Sequence, residues 1–95
     1  MNVAVVGATG VVGETIIQIL EERDFPVEKL IPLASERSIG KKVEFRGKHI
    51  DCELLNDFDF SQADIALFSA GGGISAEYAP KAGAAGCIVV DNTSH

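Results

Sequence analysis

The hydrophobic pattern at the start of the chain predicts a strand followed by a helix. Asn2–Val6 is a short β-branched apolar run closed by a glycine, which is typical of a buried parallel strand. Apolar residues then recur on one face of a predicted helix that begins near Val11: Val12, Ile16, Ile17 and Leu20. This helix should end before Pro26, because a residue that precedes proline is driven out of the α region.

Three further apolar runs predict strands, at Leu30–Ala34, Ile65–Phe68 and Ile88–Asp91. Pro32 counts against the first of them, because proline has no N–H to donate to a neighbouring strand.

An alanine-rich segment predicts a second helix. Ser75 is its predicted N-cap, and it should reach about Ala85 and stop at Gly86. Pro80 should kink this helix or delay its start.

Period-two alternation from Lys42 to Leu54 predicts an antiparallel hairpin that turns at Arg46-Gly47-Lys48. Cys52 falls on its second arm. Because strands otherwise alternate with helices, we expect an α/β fold with a mostly parallel sheet, flanking helices and this hairpin as an insertion.

Composition narrows the class of protein. The 95 residues are 46% hydrophobic and 23% charged, which suits one globular domain and is too short for two. A net charge of −6 disfavours nucleic-acid binding, and no uncharged stretch is long enough to predict a membrane span. No basic residue precedes the first apolar run, so we expect no signal peptide and a cytoplasmic protein.

Cys52 and Cys87 lie far apart, which supports neither a metal site nor a disulfide framework, and we interpret both as structural.

A glycine-rich segment, Gly7-Ala8-Thr9-Gly10-Val11-Val12-Gly13, lies between the first strand and the first helix. In that context it indicates a Rossmann-like dinucleotide site: Gly7 permits the tight turn, Gly10 lets a pyrophosphate approach the backbone, and Gly13 allows close helix packing. Helix N-terminal amides favour the anion. A triphosphate loop is excluded because Glu14 and Thr15 follow the glycines. The open alternative is that the glycines only shape a turn.

The segment after the second strand predicts the choice of cofactor. NAD-preferring sites place a carboxylate about 20 residues beyond the glycines, at the end of this strand. Here the strand ends in Ala34 and Ser35, and Arg37 and Ser38 can hydrogen bond to a 2′-phosphate, so NADP is favoured. Glu36 opposes this interpretation, and we expect its side chain to point outward and pair with a surface lysine.

Two more segments follow predicted parallel strands and therefore reach the sheet edge where such folds bind ligands. They are Ser69-Ala70-Gly71-Gly72-Gly73 and Asn92-Thr93-Ser94, and both could line the nicotinamide side. Loop glycines and polar strand ends without a ligand are the alternative. A short-chain dehydrogenase site is excluded, because Ala82 stands four residues after Tyr78 where that site needs lysine.

Five motifs in order resemble the bacterial aspartate-semialdehyde dehydrogenase family. They are Val5 to Gly13, Arg23-Asp24-Phe25-Pro26, Leu33 to Lys41, Ala66 to Gly72, and Val90-Asp91-Asn92-Thr93-Ser94. The resemblance runs along the whole chain but covers only the amino-terminal cofactor-binding part of a longer family sequence. We therefore expect residues 1–95 to be a single truncated NADP-binding domain, with the catalytic and dimerisation domain outside it.

The resemblance implies an NADP-dependent reductive dephosphorylation of aspartyl phosphate to aspartate semialdehyde, on the route to lysine, threonine, methionine and diaminopimelate, by a homodimer. It implies that Thr9, Gly10, Val11 and Val12 hold the pyrophosphate, that Arg37 and Ser38 meet the 2′-phosphate, and that Ser69 to Gly72 lie along the cofactor. The family's thioester-forming cysteine, its acid/base histidine and its substrate arginines fall outside this chain, so no catalytic residue is expected within it.

Two other interpretations remain open at this point. One is a non-catalytic nucleotide-binding paralogue, against which the intact Ser35-Glu36-Arg37-Ser38 and Ser69-Ala70-Gly71-Gly72 segments argue. The other is an enzyme like N-acetylglutamyl-phosphate reductase, against which the residues Asp91-Asn92-Thr93-Ser94 argue.

Overall fold

The computed structural model describes residues 1–69 and 72–91. The chain forms, in order, β1 (Asn2–Val6), α1 (Val11–Glu22), β2 (Lys29–Ala34), β3 (Lys42–Phe45), β4 (Lys48–Asp51), β5 (Glu53–Leu54), β6 (Ile65–Phe68), α2 (Gly72–Ala84) and β7 (Ile88–Asp91). Short 3₁₀ turns occupy residues 36–38, 55–57 and 60–62. No helix in these ranges has the length and apolar character that crossing a membrane requires.

The main sheet has five strands in the order β5-β2-β1-β6-β7, and every pairing in it is parallel. Strands β3 and β4 form a separate antiparallel pair. The predicted α/β fold is therefore confirmed. Because parallel strands end at the same edge, the segments after β1, β2, β5, β6 and β7 all leave the sheet at its carboxyl edge.

Alternate side chains of the central strand β1 point to opposite faces of the sheet and belong to two separate hydrophobic clusters. Val3 and Val5 are fully buried on the face that carries α1, where they pack in one cluster with Ile17 and Leu20. The second cluster, which includes α2, lies on the other face and contains Ala4, Val6, Phe60, Phe68, Tyr78 and Ala82. Each large apolar side chain buried in this way contributes about 1.5–3 kcal/mol, so β1 is fixed from both sides.

Pro32 is buried inside β2, opposite Val5 of β1. The Leu33 carbonyl accepts hydrogen bonds from Gly7 and Ala8, so Leu33 turns its backbone groups towards β1. Neighbouring residues of a strand turn theirs to opposite sides, and Pro32 therefore faces away from β1. On that side β5 pairs only with Leu33 and Ala34. The missing N–H of Pro32 thus removes no hydrogen bond from the sheet.

The predicted hairpin is confirmed between Lys42 and Asp51, but its extension to Leu54 is wrong. The Cys52 amide donates to the Lys41 carbonyl, after which Glu53 and Leu54 join the main sheet as β5. The alternation of apolar and polar residues continues unbroken because both sheets require it, so the pattern does not reveal the change of partner.

The prediction of Ser75 as the N-cap of the second helix is wrong. Helix α2 begins at Gly72, so Ser75 lies inside its first turns and Pro80 lies in its interior without delaying its start. The predicted stop at Gly86 is confirmed, with φ +95°. Gly86 donates to the Gly83 carbonyl and Cys87 to the Ala82 carbonyl, which is the Schellman arrangement.

Candidate functional site

The turn after β1 is the centre of the candidate site. Gly7 has φ +82°, a conformation that glycine adopts without strain, and its N–H donates to the Leu33 carbonyl of β2 at 3.0 Å. Gly10 closes the turn by donating to the Gly7 carbonyl at 3.1 Å, and Glu14 then donates to the Gly10 carbonyl as α1 begins. The turn is thereby fixed between two strands and a helix.

Close packing at Gly13 is confirmed. A Cβ atom at this position would lie 2.2 Å from the Gly7 carbonyl oxygen and 2.9 Å from the Ala8 Cα, so only glycine fits. At Gly10 a Cβ atom would lie 3.5 Å from the Gly7 oxygen, which is an ordinary contact. The packing of α1 therefore requires glycine at position 13. The space over Gly10 is not filled by the protein and is open to a ligand.

The N-terminus of α1 is open. Gly10 is its N-cap residue, and no side chain of the described residues caps it. The first amides of a helix have no acceptor within the helix, and the helix dipole makes that end favourable for an anion. Val11 is 82% exposed and Val12 is 48% exposed, although both are apolar. Glu14 is the acidic residue of this first turn and opposes an anion there.

Thr9 links the glycine turn to the segment after β2. Its hydroxyl donates to the Ser38 Oγ at 3.2 Å, and the Ser38 amide donates to the Ser35 carbonyl at 2.9 Å. A cavity of about 310 Å³ opens beside Thr9, bounded by α1 and by residues 41–44. Two motifs that lie 29 residues apart in sequence are thus in direct contact.

A second cavity, of about 300 Å³, lies at the carboxyl end of β2 and is lined by Ser35, Glu36, Arg37 and Asn56. Glu36 is exposed, as an outward-pointing side chain would be, and it also lines this cavity. The expected pairing with a surface lysine is wrong, because Glu36 makes no ion pair with any described lysine. Arg37 is likewise without an ion pair inside the described ranges. One cation and one carboxylate therefore share the cavity.

Asn56 was not predicted as a site residue. It lies in the 3₁₀ turn directly after β5, and its Oδ1 accepts a hydrogen bond from the Tyr78 hydroxyl of α2 at 3.3 Å. Burial raises the pKa of Tyr78 above its usual value, with Glu77 adding to the shift, so the hydroxyl keeps its proton as a donor. No pattern in the sequence indicates this position, because Asn56 reaches the edge only through the pairing of the two-residue strand β5 with β2.

Ser69 follows β6 and is bonded to the glycine turn. Its amide donates to the Val6 carbonyl at 3.0 Å, and its hydroxyl donates to the same carbonyl at 2.8 Å and to the Gly7 carbonyl at 3.3 Å. The structure thus brings together three of the predicted segments, after β1, β2 and β6. Of the remaining predicted residues, Gly72 is the first residue of α2, while Ala70, Gly71 and Asn92 lie outside the described residues.

Both cysteines are free and buried. Burial raises the pKa of the Cys52 thiol, and Asp51 adds to this while Lys41 opposes it. Burial and then Asp64 raise the pKa of Cys87, whose Sγ donates to the Phe60 and Ala63 carbonyls. A protonated, buried thiol is a poor nucleophile. In the part of the chain that the structure describes, no group of three potential ligands could hold a metal ion.

A family model and a known relative match almost the whole chain. A family model described as semialdehyde dehydrogenase, NAD binding domain, matches residues 2–95. Aspartate-semialdehyde dehydrogenase of Legionella pneumophila is 65% identical over 94 residues, which are 99% of this chain and 27% of that protein.

Two solved structures extend the comparison. Aspartate semialdehyde dehydrogenase II from Vibrio cholerae, complexed with ASA, matches with a TM-score of 0.95 and 57% identity over 99% of this chain and 31% of that one. Aspartate semialdehyde dehydrogenase with NADP from Candida albicans matches with a TM-score of 0.76 and 25% identity, over 99% of this chain and 30% of that one. The chain therefore spans about three tenths of the length of these relatives.

Proposed function

Since the chain belongs to the family of semialdehyde dehydrogenase NAD-binding domains, we propose that it is the cofactor-binding part of an NADP-dependent aspartate-semialdehyde dehydrogenase. The full-length enzyme would reductively dephosphorylate aspartyl phosphate to aspartate semialdehyde, in the biosynthesis of lysine, threonine, methionine and diaminopimelate. We further propose that it acts as a cytoplasmic homodimer.

The observation that carries the cofactor assignment is the contact between the glycine turn and the segment after β2. The Thr9–Ser38 hydrogen bond joins the glycine turn to the segment that contains Arg37. A dinucleotide whose pyrophosphate lies on the α1 amides extends its adenosine ribose towards the end of β2. Arg37 then has no competing ion pair among the described residues and offers a planar fork to a 2′-phosphate.

Each residue of the site has a separate part in this proposal. The amides of Val11, Val12 and Gly13 bind the pyrophosphate, and Gly10 leaves it room. Arg37 and Ser38 bind the 2′-phosphate, with Ser35 beside them. Ser69 holds the glycine turn in shape, and the residues from Ala70 to Gly72, together with Asn92, are proposed to lie along the nicotinamide half.

NADP, when bound, supplies hydride transfer at the substrate carbon. The covalent step needs a thioester-forming cysteine, and neither buried cysteine of this chain suits that role. We therefore propose that the nucleophile, the acid/base histidine and the substrate arginines lie in the part of the relatives' length that this chain does not span. The isolated chain should give no phosphate-dependent reduction of NADP with aspartate semialdehyde.

The experiment that tests the NADP assignment is a titration of NADP and NAD against the chain and its Arg37→Ala variant. A charge-assisted hydrogen bond contributes about 1.5–3 kcal/mol, so we expect about a tenfold to hundredfold loss for NADP. The affinity for NAD should change by less than about twofold, since it has no 2′-phosphate.

Arg23→Ala is the matched control, because it removes the same charge from an exposed arginine at the far end of α1. It should leave both affinities unchanged. An equal loss for NADP and NAD in the Arg37 variant would contradict the 2′-phosphate role.

A further inference from the structure

Ser75 has an unusual position in helix α2. It is 3% exposed, and it is the only serine, threonine, amide or charged side chain that is fully buried in the described part of the chain. Its hydroxyl donates to the Asp91 Oδ2 at 2.5 Å. Hydrogen bonds from a hydroxyl to a carboxylate are shorter and stronger than those between neutral groups.

Packing alone does not account for a serine at this position. Helix α2 contains alanine at four positions, 76, 79, 82 and 84, and alanine is the better helix former. A buried hydroxyl destabilises the fold unless it has a partner. The specific gain from Ser75 is therefore its bond to the carboxylate of β7.

The two partners stand where two candidate segments meet the fold. Helix α2 begins directly after Ala70 and Gly71, and Asp91 directly precedes Asn92. Strands β6 and β7 are paired in register, with Phe68 opposite Asp91, so the chain leaves both strands at the same level of the carboxyl edge. The Ser75–Asp91 bond thus connects the helix that follows one segment to the strand that leads into the other.

We propose that Ser75 is a positioning residue, which, through its hydrogen bond to Asp91, fixes the carboxyl end of β7 against the first turns of α2 and so holds this part of the sheet edge in shape beside the nicotinamide half of the proposed cofactor site. This inference rests on the proposed function. It assigns Ser75 no contact with substrate or cofactor. The adenosine half, around Arg37, lies on the other side of the glycine turn and is independent of this bond.

The test uses the full-length enzyme with the variants Ser75→Ala, Asp91→Ala and the double variant, assayed for phosphate-dependent oxidation of aspartate semialdehyde. Small misplacements of reacting groups reduce rates steeply, so Ser75→Ala should lower kcat about tenfold or more. The dissociation constant for NADP should change less than about twofold, because the adenosine contacts remain. The double variant should lose no more activity than Asp91→Ala alone, as expected for two residues that act through one bond.

A second measurement needs neither substrate nor cofactor. Amide hydrogen exchange in the cofactor-free protein should become faster at residues 73–76 and 89–91 in Ser75→Ala, and Ser75→Thr, which keeps the hydroxyl, should restore both exchange and kcat.

Ser61→Ala is the matched control. The Ser61 hydroxyl and amide hydrogen bond to Asp59 and hold the pKa of that carboxyl below its usual value, but they lie near the amino edge of the sheet. This variant should leave kcat unchanged.

The outcomes are separable. A wild-type kcat in Ser75→Ala, or losses in the two single variants that simply add in the double variant, would overturn the positioning role. If the wild-type enzyme lacks semialdehyde activity, the proposed function fails, and unchanged exchange in Ser75→Ala would then overturn the bond's role separately.

Discussion

The amino and carboxyl edges of the main sheet are formed by opposite ends of the same strands, but the hydrogen bonding at the two edges differs. At the amino edge, the Asn2 amide donates to the Asp64 carboxylate at 2.7 Å, and its side chain donates to the Gln62 carbonyl at 3.1 Å. The Ile88 amide donates to the Asp64 carbonyl at 2.9 Å, so one short segment joins β1, β6 and β7. At the carboxyl edge, α1 has no side-chain cap among the described residues, and Val11 is exposed.

The two edges therefore have different roles: hydrogen bonds at the amino edge stabilise the fold, and the carboxyl edge leaves room for a ligand. Polar groups at the amino edge bond one element to another and leave little for a ligand. Two hydrogen bonds at the carboxyl edge, from Thr9 to Ser38 and from Ser69 to Gly7, instead join loops to each other around open space. Loops fixed in this way hold a ligand site in shape before binding, which lowers the entropy lost on binding.

Replacement of Gly13 by alanine should have the largest effect, because it should both destabilise the fold and weaken NADP binding. The new Cβ would meet the Gly7 carbonyl at 2.2 Å and force α1 away from β1. We expect a loss of about 3 kcal/mol in the free energy of unfolding, measured by urea denaturation.

Gly83→Ala is the control for that variant, since a Cβ atom at this position of α2 would have no neighbouring atom of the described residues within 4 Å. It should stabilise the chain by about 0.5–1 kcal/mol, because alanine has the lower entropy cost in a helix. A stable Gly13→Ala variant would show that α1 does not need its close approach.

Replacement of Gly10 by alanine should weaken NADP binding more than it destabilises the fold. Its Cβ would make only an ordinary contact in the protein, but it would occupy the space over the turn. We expect NADP affinity to fall about tenfold in Gly10→Ala, by fluorescence titration, with an N-cap cost of at most about 1 kcal/mol in stability.

Gly10→Ser separates the two effects. Serine is a favourable N-cap and should restore the free energy of unfolding, while its side chain still obstructs the pyrophosphate. Recovery of NADP affinity together with stability would mean that the space over Gly10 is not used.

The smallest effect is expected at the amino edge, from Asp64→Ala. Loss of the acceptor for the Asn2 amide should lower the free energy of unfolding by about 1 kcal/mol and leave NADP affinity unchanged. Glu22→Ala is the control, because Glu22 is exposed at the far end of α1 and has no ion pair or side-chain hydrogen bond within residues 1–69 and 72–91. Weaker NADP binding in the Asp64 variant alone would show that the two edges are coupled.

Much of the fold was predictable because it is encoded locally. Asn2–Val6 and Ile65–Phe68 are short apolar runs of the kind typical of a buried strand, and both form strands as predicted. The packing role of Gly13 was also predictable, because a strand, a glycine turn and an amphipathic helix in succession restrict the geometry of their junction.

The misses share a different cause, which is that each depends on a partner distant in sequence. Serine is a residue type that is favoured at helix N-caps, but the Ser75 hydroxyl donates to Asp91, sixteen residues later. Asn56 reaches the carboxyl edge of the sheet only because Glu53–Leu54 pairs with β2. Local preference cannot report such pairings, and an exposed glutamate such as Glu36 has no pattern that fixes its direction.

The position of Pro32 also bears on how the chain meets other proteins. Strand β5 pairs only with the last two residues of β2, so residues Lys29 to Pro32 have no strand partner on that side in the described part of the chain. Unpaired backbone at a sheet edge can pair with another molecule, which is a common route to aggregation. Here Pro32 has no N–H to offer an incoming strand, its side chain is buried, and strand β3 packs in one cluster with β2. The residue that counts against a strand in the sequence is thus one that strand addition at this edge would not favour.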